Sequence, residues 1–499
     1  MIDGIRRRPA HRWVVSIFAA AGLLMGLWGI PSANAQEADR PLRGVESADP
    51  LRLSLDQAVE QALETGEEVR LVREQILQAE EEITQVRSGA FPQVSTNLTY
   101  TRQIRSIFDD LATMPGMTPG NGMGNGDDEN PFANLPFGRP NTWIASLSIN
   151  QTLYAQGQVT IGLDIAERVR TLLARELDET EAEIRAEVQQ AYFQAVFSDR
   201  LVEISTEAWE LADRQLEEVR SFQERGLASE FDVLTARVER DNLRPGIVEA
   251  ENTRRLARQN LRRLVNLPRD GELELTTALE AELSDVDRRA LEEAVLGRPA
   301  LQAAAEQIRI QEDQVRLARA GFRPSASAFA DIGYQAFPTS VFPGSDWRED
   351  WNVGVQVSIP LFTGFRRTAE VESARSQVRT SQLERQRLEE GLLLEFDGAL
   401  AEFDGVLADV EARRGTVEQA TRALELAELR FAAGSATALE VSNARLNLQQ
   451  ARLNEAEGLL GYVQALSRLE RVTGGEVPLL TTRIQAVGEN HMDSDPRDG

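Results

Sequence analysis

No cysteine occurs anywhere in the sequence. That excludes disulfides, thiolate nucleophiles and Cys-based metal sites. It also excludes an N-terminal lipid anchor attached through cysteine. Histidine is nearly absent: His11 lies in the N-terminal segment and His491 in the acidic tail. Zinc chemistry and His-based acid–base catalysis therefore lack their usual groups. Carboxylates are plentiful, but nothing groups two of them into a recognisable site, so neither an enzyme nor a cofactor is expected. Positive charge is short, with 54 Lys+Arg against 80 Asp+Glu and a formal net charge of −26. Nucleic-acid backbones demand clustered positive charge, so they are not expected partners. After residue 30 no long apolar run appears, and no transmembrane helix is expected in the mature chain.

The N-terminus reads as a secretory signal. Arg6, Arg7, Arg8 and Arg12 form a basic start, and Trp13 to Ile30 is an apolar run. Ala33-Asn34-Ala35 offers a small-x-small cleavage site, giving a signal peptide over 1–35. An uncleaved anchor is the alternative. At the other end, residues 476–499 read as a disordered acidic tail.

The chain says nearly the same thing twice. Arg87-Ser88-Gly89-Ala90-Phe91-Pro92 is echoed by Arg319-Ala320-Gly321-Phe322-Arg323-Pro324. Further on, Leu153-Tyr154 maps onto Leu361-Phe362, 208 positions later. The same 208 carries Gly226 onto Gly434, Ala236-Arg237 onto Ala444-Arg445, and Leu261 onto Leu469. A constant offset over such a span marks an internal repeat. The first copy spans 36–285 and the second 286–475. A Gly/Met/Pro/Asn-rich stretch, Met114 to Pro140, lengthens one loop of the first copy.

Each copy reads helix, strand, loop, strand, long helix, turn, helix. Strands are expected over 92–101 and 143–153, then 325–334 and 351–361. Val94, Thr96, Leu98 and Tyr100 alternate with Gln93, Ser95, Asn97 and Thr99. Period two places one set on each face. About ten residues per strand, with aromatics near the ends, fits an outer-membrane barrel. A soluble sheet with one wet face is the competing reading of any single strand. Four strands do not close a barrel, and an open edge in hydrocarbon leaves backbone groups unsatisfied. Strands in a membrane must therefore be pooled between copies.

The helices are expected as hairpins over 158–267 and 366–473. Gln158 to Arg225 and Arg366 to Ala433 each read as one long helix, the second loosened by Gly391, Gly398, Gly405 and Gly415. Apolar positions recur at three and four, as in coiled coils. Gly226 and Gly434 stand where helix ends need positive φ, and Ser229 and Thr437 can cap the helices that follow. Pro245-Gly246 is expected to interrupt the first returning helix and kink it.

These residues resemble the TolC-like outer-membrane efflux family. The resemblance covers about residues 53–475. It rests on Ala318-Arg319-Ala320-Gly321-Phe322-Arg323-Pro324, Ile359-Pro360-Leu361-Phe362-Thr363-Gly364, Ala191-Tyr192-Phe193, and Gly226-Leu227-Ala228-Ser229-Glu230-Phe231-Asp232-Val233-Leu234. It implies a mostly α fold with a transmembrane β-barrel part: a homotrimer with a twelve-stranded barrel in outer-membrane lipid and an α-helical tunnel through the periplasm. The implied partners are a periplasmic adaptor (membrane fusion) protein and an inner-membrane transporter, with the chain a passive duct. By the same resemblance, Gly226, Leu227, Ala228 and Ser229 with Gly434, Ser435, Ala436 and Thr437 are adaptor-contacting tips. Asp232, Glu440 and Asn443 are gate candidates. Some family members carry two acidic residues three apart in the second tip, where this chain has Glu440 and Asn443. Phe431 and Ala436 replace a Tyr and an Arg found in some members.

For Glu440 the competing reading is a solvated carboxylate at a helix start. Gly120 to Gly126 imitates a phosphate loop without the βαβ context such a loop needs. A duct for polypeptide secretion has the same fold. A periplasmic coiled-coil adaptor or scaffold would explain the hairpins but not the strands.

Overall fold

The computed structural model describes residues 51–104, 140–280, 283, 285–338, 340–344 and 347–475. The signal segment, the phosphate-loop mimic and the acidic tail lie outside them. In chain order the elements are β1 (Leu51–Leu53), α1 (Leu55–Thr65), α2 (Glu67–Ser88), β2 (Gln93–Arg102) and β3 (Asn141–Tyr154). Next come α3 (Gln158–Glu224), α4 (Glu230–Leu264), β4 (Leu273–Leu275), α5 (Arg288–Leu296) and α6 (Pro299–Ala320). Last are β5 (Ser325–Ala336), β6 (Trp347–Ser358), α7 (Arg366–Ala412), α8 (Thr416–Ala432) and α9 (Ala438–Val472). They form two compact units, one holding β2, β3, β5 and β6, the other holding the helices.

The β unit is one antiparallel sheet in the order β2-β3-β5-β6. Its register lines up like with like. One face carries the rows Val94–Ile149–Ala330–Val353 and Thr96–Leu147–Ile332–Trp351. The other carries Ser95–Ser148–Asp331–Asn352, where the Ser148 hydroxyl donates to Asp331 Oδ1 at 2.6 Å. Phe329 is an aromatic exception on the polar face. Its ring lies over Gly354, its cross-strand partner, and a Cβ there would stand 2.7 Å from the ring. Strand ends differ from the sequence reading. The last strand begins at Trp347 and stops at Ser358 rather than running over 351–361. Pro360 has no N–H to extend the ladder. β2 and β6 each pair on one side only, so the sheet is open. Val353 on the apolar face is 87% exposed in the single chain.

In the helical unit α3 runs unbroken for 67 residues, about 100 Å at 1.5 Å per residue. Its image in the second repeat does not. The stretch read as one helix from Arg366 to Ala433 divides into α7 and α8 around Gly415, at φ 79°. Glycine enters that left-handed conformation without steric cost, whereas the first repeat has Glu207 there. Pro245-Gly246, expected to interrupt a helix, lies inside continuous α4. One hydrogen bond is lost at Pro245, but Arg240–Asp213 and Arg258–Asp199 tie α4 to α3 on either side.

The repeat is visible in side-chain detail. Arg263 pairs with Glu187 at 3.5 Å in the first copy, and Arg471 pairs with Glu395, 208 residues on, in the second. Both long helices start from two consecutive positive-φ residues, Gln156-Gly157 and Gly364-Phe365. The main core gathers Tyr192, Phe193, Phe403 and Tyr462, all fully buried. The Tyr192 hydroxyl donates to the Leu53 carbonyl and accepts from the Thr277 N–H, each at 2.9 Å. It thereby docks the short parallel β1–β4 pair, which sequence reading did not foresee, onto α3. Among the described residues no helix is long and apolar enough to cross a membrane.

Candidate functional site

Both long hairpins turn by the same construction. At the end of α3, Gly226 at φ 76° lets its N–H reach the Gln223 carbonyl at 2.9 Å, and Leu227 N–H reach that of Phe222 at 2.8 Å. At the end of α8, Gly434 at φ 73° repeats this: its N–H bonds to Phe431 and that of Ser435 to Arg430. These are the two bonds of a Schellman motif. A Cβ on either glycine would meet nothing, so backbone conformation alone requires glycine here.

The next helices start with capping boxes. Asp232 N–H donates to Ser229 Oγ at 3.2 Å, and Ser229 N–H donates back to the Asp232 carboxylate at 2.9 Å. Thr437 and Glu440 do the same, each bond at 3.3 Å. Reciprocal bonds of this kind satisfy two otherwise orphaned groups at a helix start. The Ser229 hydroxyl, then its backbone N–H, holds the Asp232 carboxyl below the usual carboxylate range. Glu440 has a further partner, Arg430 of α8, at 3.5 Å. Its charge is thus shared between a cap and an ion pair. Asn443, the third gate candidate, is exposed on α9 one turn on.

The tips also expose apolar side chains. Leu227 is 73% exposed; Phe231 and Leu439, images of each other in α4 and α9, are exposed to similar degrees. Ala228 is half buried beside Val219 and Val233. Ser435 is exposed, and its hydroxyl donates to the Arg430 carbonyl at 3.0 Å. Ala436 lies between Ser435 and the Thr437 cap.

Two contacts that sequence reading missed tie one hairpin to the other. Phe431 packs its ring on Phe222, with centroids 5.2 Å apart. Further into the returning helices, Glu239 of α4 accepts from Ser442 Oγ at 2.9 Å and from Arg445 at 3.2 Å, both on α9. Arg445 is buried, which lowers its pKa, while Glu239 opposes the shift. A signal was present: Arg445 interrupts the stripe of buried Val441 and Leu448. A cation inside an apolar stripe needs a partner on the facing helix. Nearby, burial and then the charge of Glu428 push the Glu218 carboxyl up. Among the described residues no three potential ligands gather into a metal site.

This architecture of open sheet and twin hairpins has known counterparts. The profile of the outer membrane efflux protein family matches residues 58–267 and 290–475. The chain belongs to that family. Its members are channels, and this efflux protein is an outer-membrane duct reaching into the periplasm. Among solved structures, the CmeC outer membrane channel of Campylobacter jejuni superposes with a TM-score of 0.67 at 15% identity, covering 93% of this chain and 96% of that one. The outer membrane protein VceC of Vibrio cholerae gives 0.64 at 18% identity, over 84% and 96%. The open-state MtrE outer membrane channel of Neisseria gonorrhoeae gives 0.65 at 17%, over 84% and 89%. At such identities the likeness is one of fold. No curated protein matches the efflux protein by sequence.

Proposed function

We propose that this efflux duct works as a homotrimer, with its hairpin tips meeting a periplasmic adaptor served by an inner-membrane transporter. The open sheet carries this reading. Its apolar face suits lipid, and its edges β2 and β6 leave ladder groups that only another copy can pair inside hydrocarbon. Three such sheets give twelve strands. The division into a signal peptide (1–35), two repeats (36–285 and 286–475) and an acidic tail (476–499) follows the same reading.

The tips are the proposed adaptor contacts: Gly226 to Ser229 and Gly434 to Thr437. Phe231 and Leu439, exposed at image positions, support contact with an apolar partner surface repeated around the ring. Glu440, Asp232 and Asn443 form the proposed constriction, where like charges in a narrow mouth attract cations. The Arg430 pair tempers Glu440, leaving Asp232 the less compensated carboxylate.

Electron microscopy of detergent-extracted particles tests the trimer. A threefold hollow cylinder is expected, and a monomeric water-soluble protein overturns the reading. Single-channel recording tests the constriction: Glu440→Gln and Asp232→Asn are expected to lower cation preference. Unchanged ion selectivity in both removes the gate assignment while leaving the duct intact.

A further inference from the structure

At Gln93, Tyr154, Ser325 and Ser358 the strands lead into helices; at their other ends they close into hairpins, β2 with β3 and β5 with β6. In an outer-membrane duct that reaches into the periplasm, those hairpin ends are the ones at the cell surface. The apolar face of the sheet finishes there in the row Tyr100–Trp143–Ala336–Trp347.

The segment that follows β5 folds back over this row. Trp143 Nε1 donates to the Val341 carbonyl at 2.8 Å. Asn141, 3% exposed, donates through Nδ2 to the Ser340 carbonyl at 2.8 Å and accepts at Oδ1 from the Tyr100 hydroxyl at 2.9 Å. The Ser340 hydroxyl donates to the Phe342 carbonyl at 2.7 Å. The backbone carbonyls of Ser340, Val341 and Phe342 are thereby satisfied, and what the segment presents outward is apolar. The Phe342 ring lies along Trp143, with centroids 6.1 Å apart and planes 27° apart. Trp143 in turn meets Tyr100 at 4.8 Å and 35°. Phe342 is 73% exposed.

These rings form a stepped shelf, tied by hydrogen bonds and open on its outer face. Ordering a segment only to hold an aromatic ring in water is unfavourable, so the shelf calls for a cover. A sugar ring suits it. Its C–H bonds carry partial positive charge toward the negative face of an aromatic ring, while its hydroxyls stay wet. Arg102 pairs in register with Asn141, on the same face as Tyr100, and is exposed at the rim. A guanidinium there suits a phosphate.

We propose that this shelf binds the phosphorylated amino-sugar headgroup of the glycolipid in the outer leaflet. The sugar stacks on Phe342 and Trp143, and its phosphate meets Arg102. The acyl chains run on down the apolar rows past the exposed Val353, so headgroup site and lipid face are one surface. A phospholipid offers phosphate and chains but no ring to stack, and the shelf tells the two apart. This rests on the reading of the apolar face as the lipid face.

The test uses purified full-length protein in detergent, titrated with bisphosphorylated lipid A, its dephosphorylated form and phosphatidylglycerol. Bound lipid is counted by native mass spectrometry. Phe342→Ala is expected to weaken both forms of lipid A about fivefold, with Phe342→Trp restoring them and phosphatidylglycerol unmoved. Arg102→Gln is expected to weaken the bisphosphorylated form alone. Equal lipid A binding by the parent and Phe342→Ala overturns the proposal. So does an equal loss of phosphatidylglycerol, which makes the ring a general lipid contact. The cysteine-free background supplies the control: a fluorophore on Val353→Cys, in liposomes carrying acyl-chain nitroxides. If that label is quenched by the nitroxides, the lipid face stands, and a negative titration sinks the headgroup site alone. A label quenched only from water sinks the lipid-face reading and this proposal with it.

Discussion

Phe222 and Phe431 touch across the two hairpins, with ring centroids 5.2 Å apart and planes tilted by 53°. The contact is not part of the repeat, because the image of Phe222 is Arg430. It gives the tip pair a brace of its own. An aromatic pair of this kind contributes about 0.5–1.5 kcal/mol beyond the area it buries. Phe431→Ala should therefore speed amide hydrogen exchange around residues 216–236 and leave the β2–β6 sheet unchanged. Phe431→Tyr should restore protection. Exchange that rises equally in the sheet would mean the ring supports global stability rather than the tips.

Arg445 depends on Glu239. Glu239→Gln strands a buried guanidinium without its carboxylate, at a cost of about 3 kcal/mol. Denaturant midpoints of the detergent-solubilised protein should drop accordingly. Adding Arg445→Met removes the stranded charge and should recover most of the loss. A double variant no better than the single one would show that hydrogen bonding to Ser442, not the buried charge, sets the cost.

The Ser229–Asp232 cap sets a pH dependence. A carboxylate whose pKa is depressed in the folded state adds stability above its unfolded pKa and loses it as pH falls through the folded value. Thermal melts should show the first hairpin weakening only on acidification below the ordinary carboxylate range. Ser229→Ala should cost about 1 kcal/mol at neutral pH and flatten this acid limb. An acid limb of unchanged height would assign it to other carboxylates.

Gly354 has no room for a methyl group under the Phe329 ring. Gly354→Ala is expected to displace that ring and lower the temperature at which the extracted particle dissociates on gels. Phe329→Leu in the same chain should relieve the clash. If Gly354→Ala alone dissociates at the parental temperature, the ring is free to move aside.

Much of this fold was legible because its signals are local and occur twice. The strand faces follow from alternation at Val94 to Tyr100 and reappear in the observed register. Gly226 and Gly434 announced their turns by residue type alone, and Ser229 and Thr437 their caps. Gly415 was less legible: four glycines dot that helix, and only packing decides which one takes positive φ. Pro245 misled for the opposite reason, since ion pairs to α3 hold α4 together through it. The Glu239 clamp joins helices that lie about two hundred residues apart in sequence, and periodicity does not tell which acidic residue faces Arg445.

The duplicated ion pair, Glu187 with Arg263 and Glu395 with Arg471, bears on descent. A bond kept at one register in both halves is what duplication of a single ancestral hairpin would leave behind. The ancestor would then have been a peptide of about half this length, and six identical copies would have been needed to surround a pore. Fusion of two such peptides would have freed each half to specialise, as the glycine break of one and the cross-hairpin carboxylate of the other illustrate.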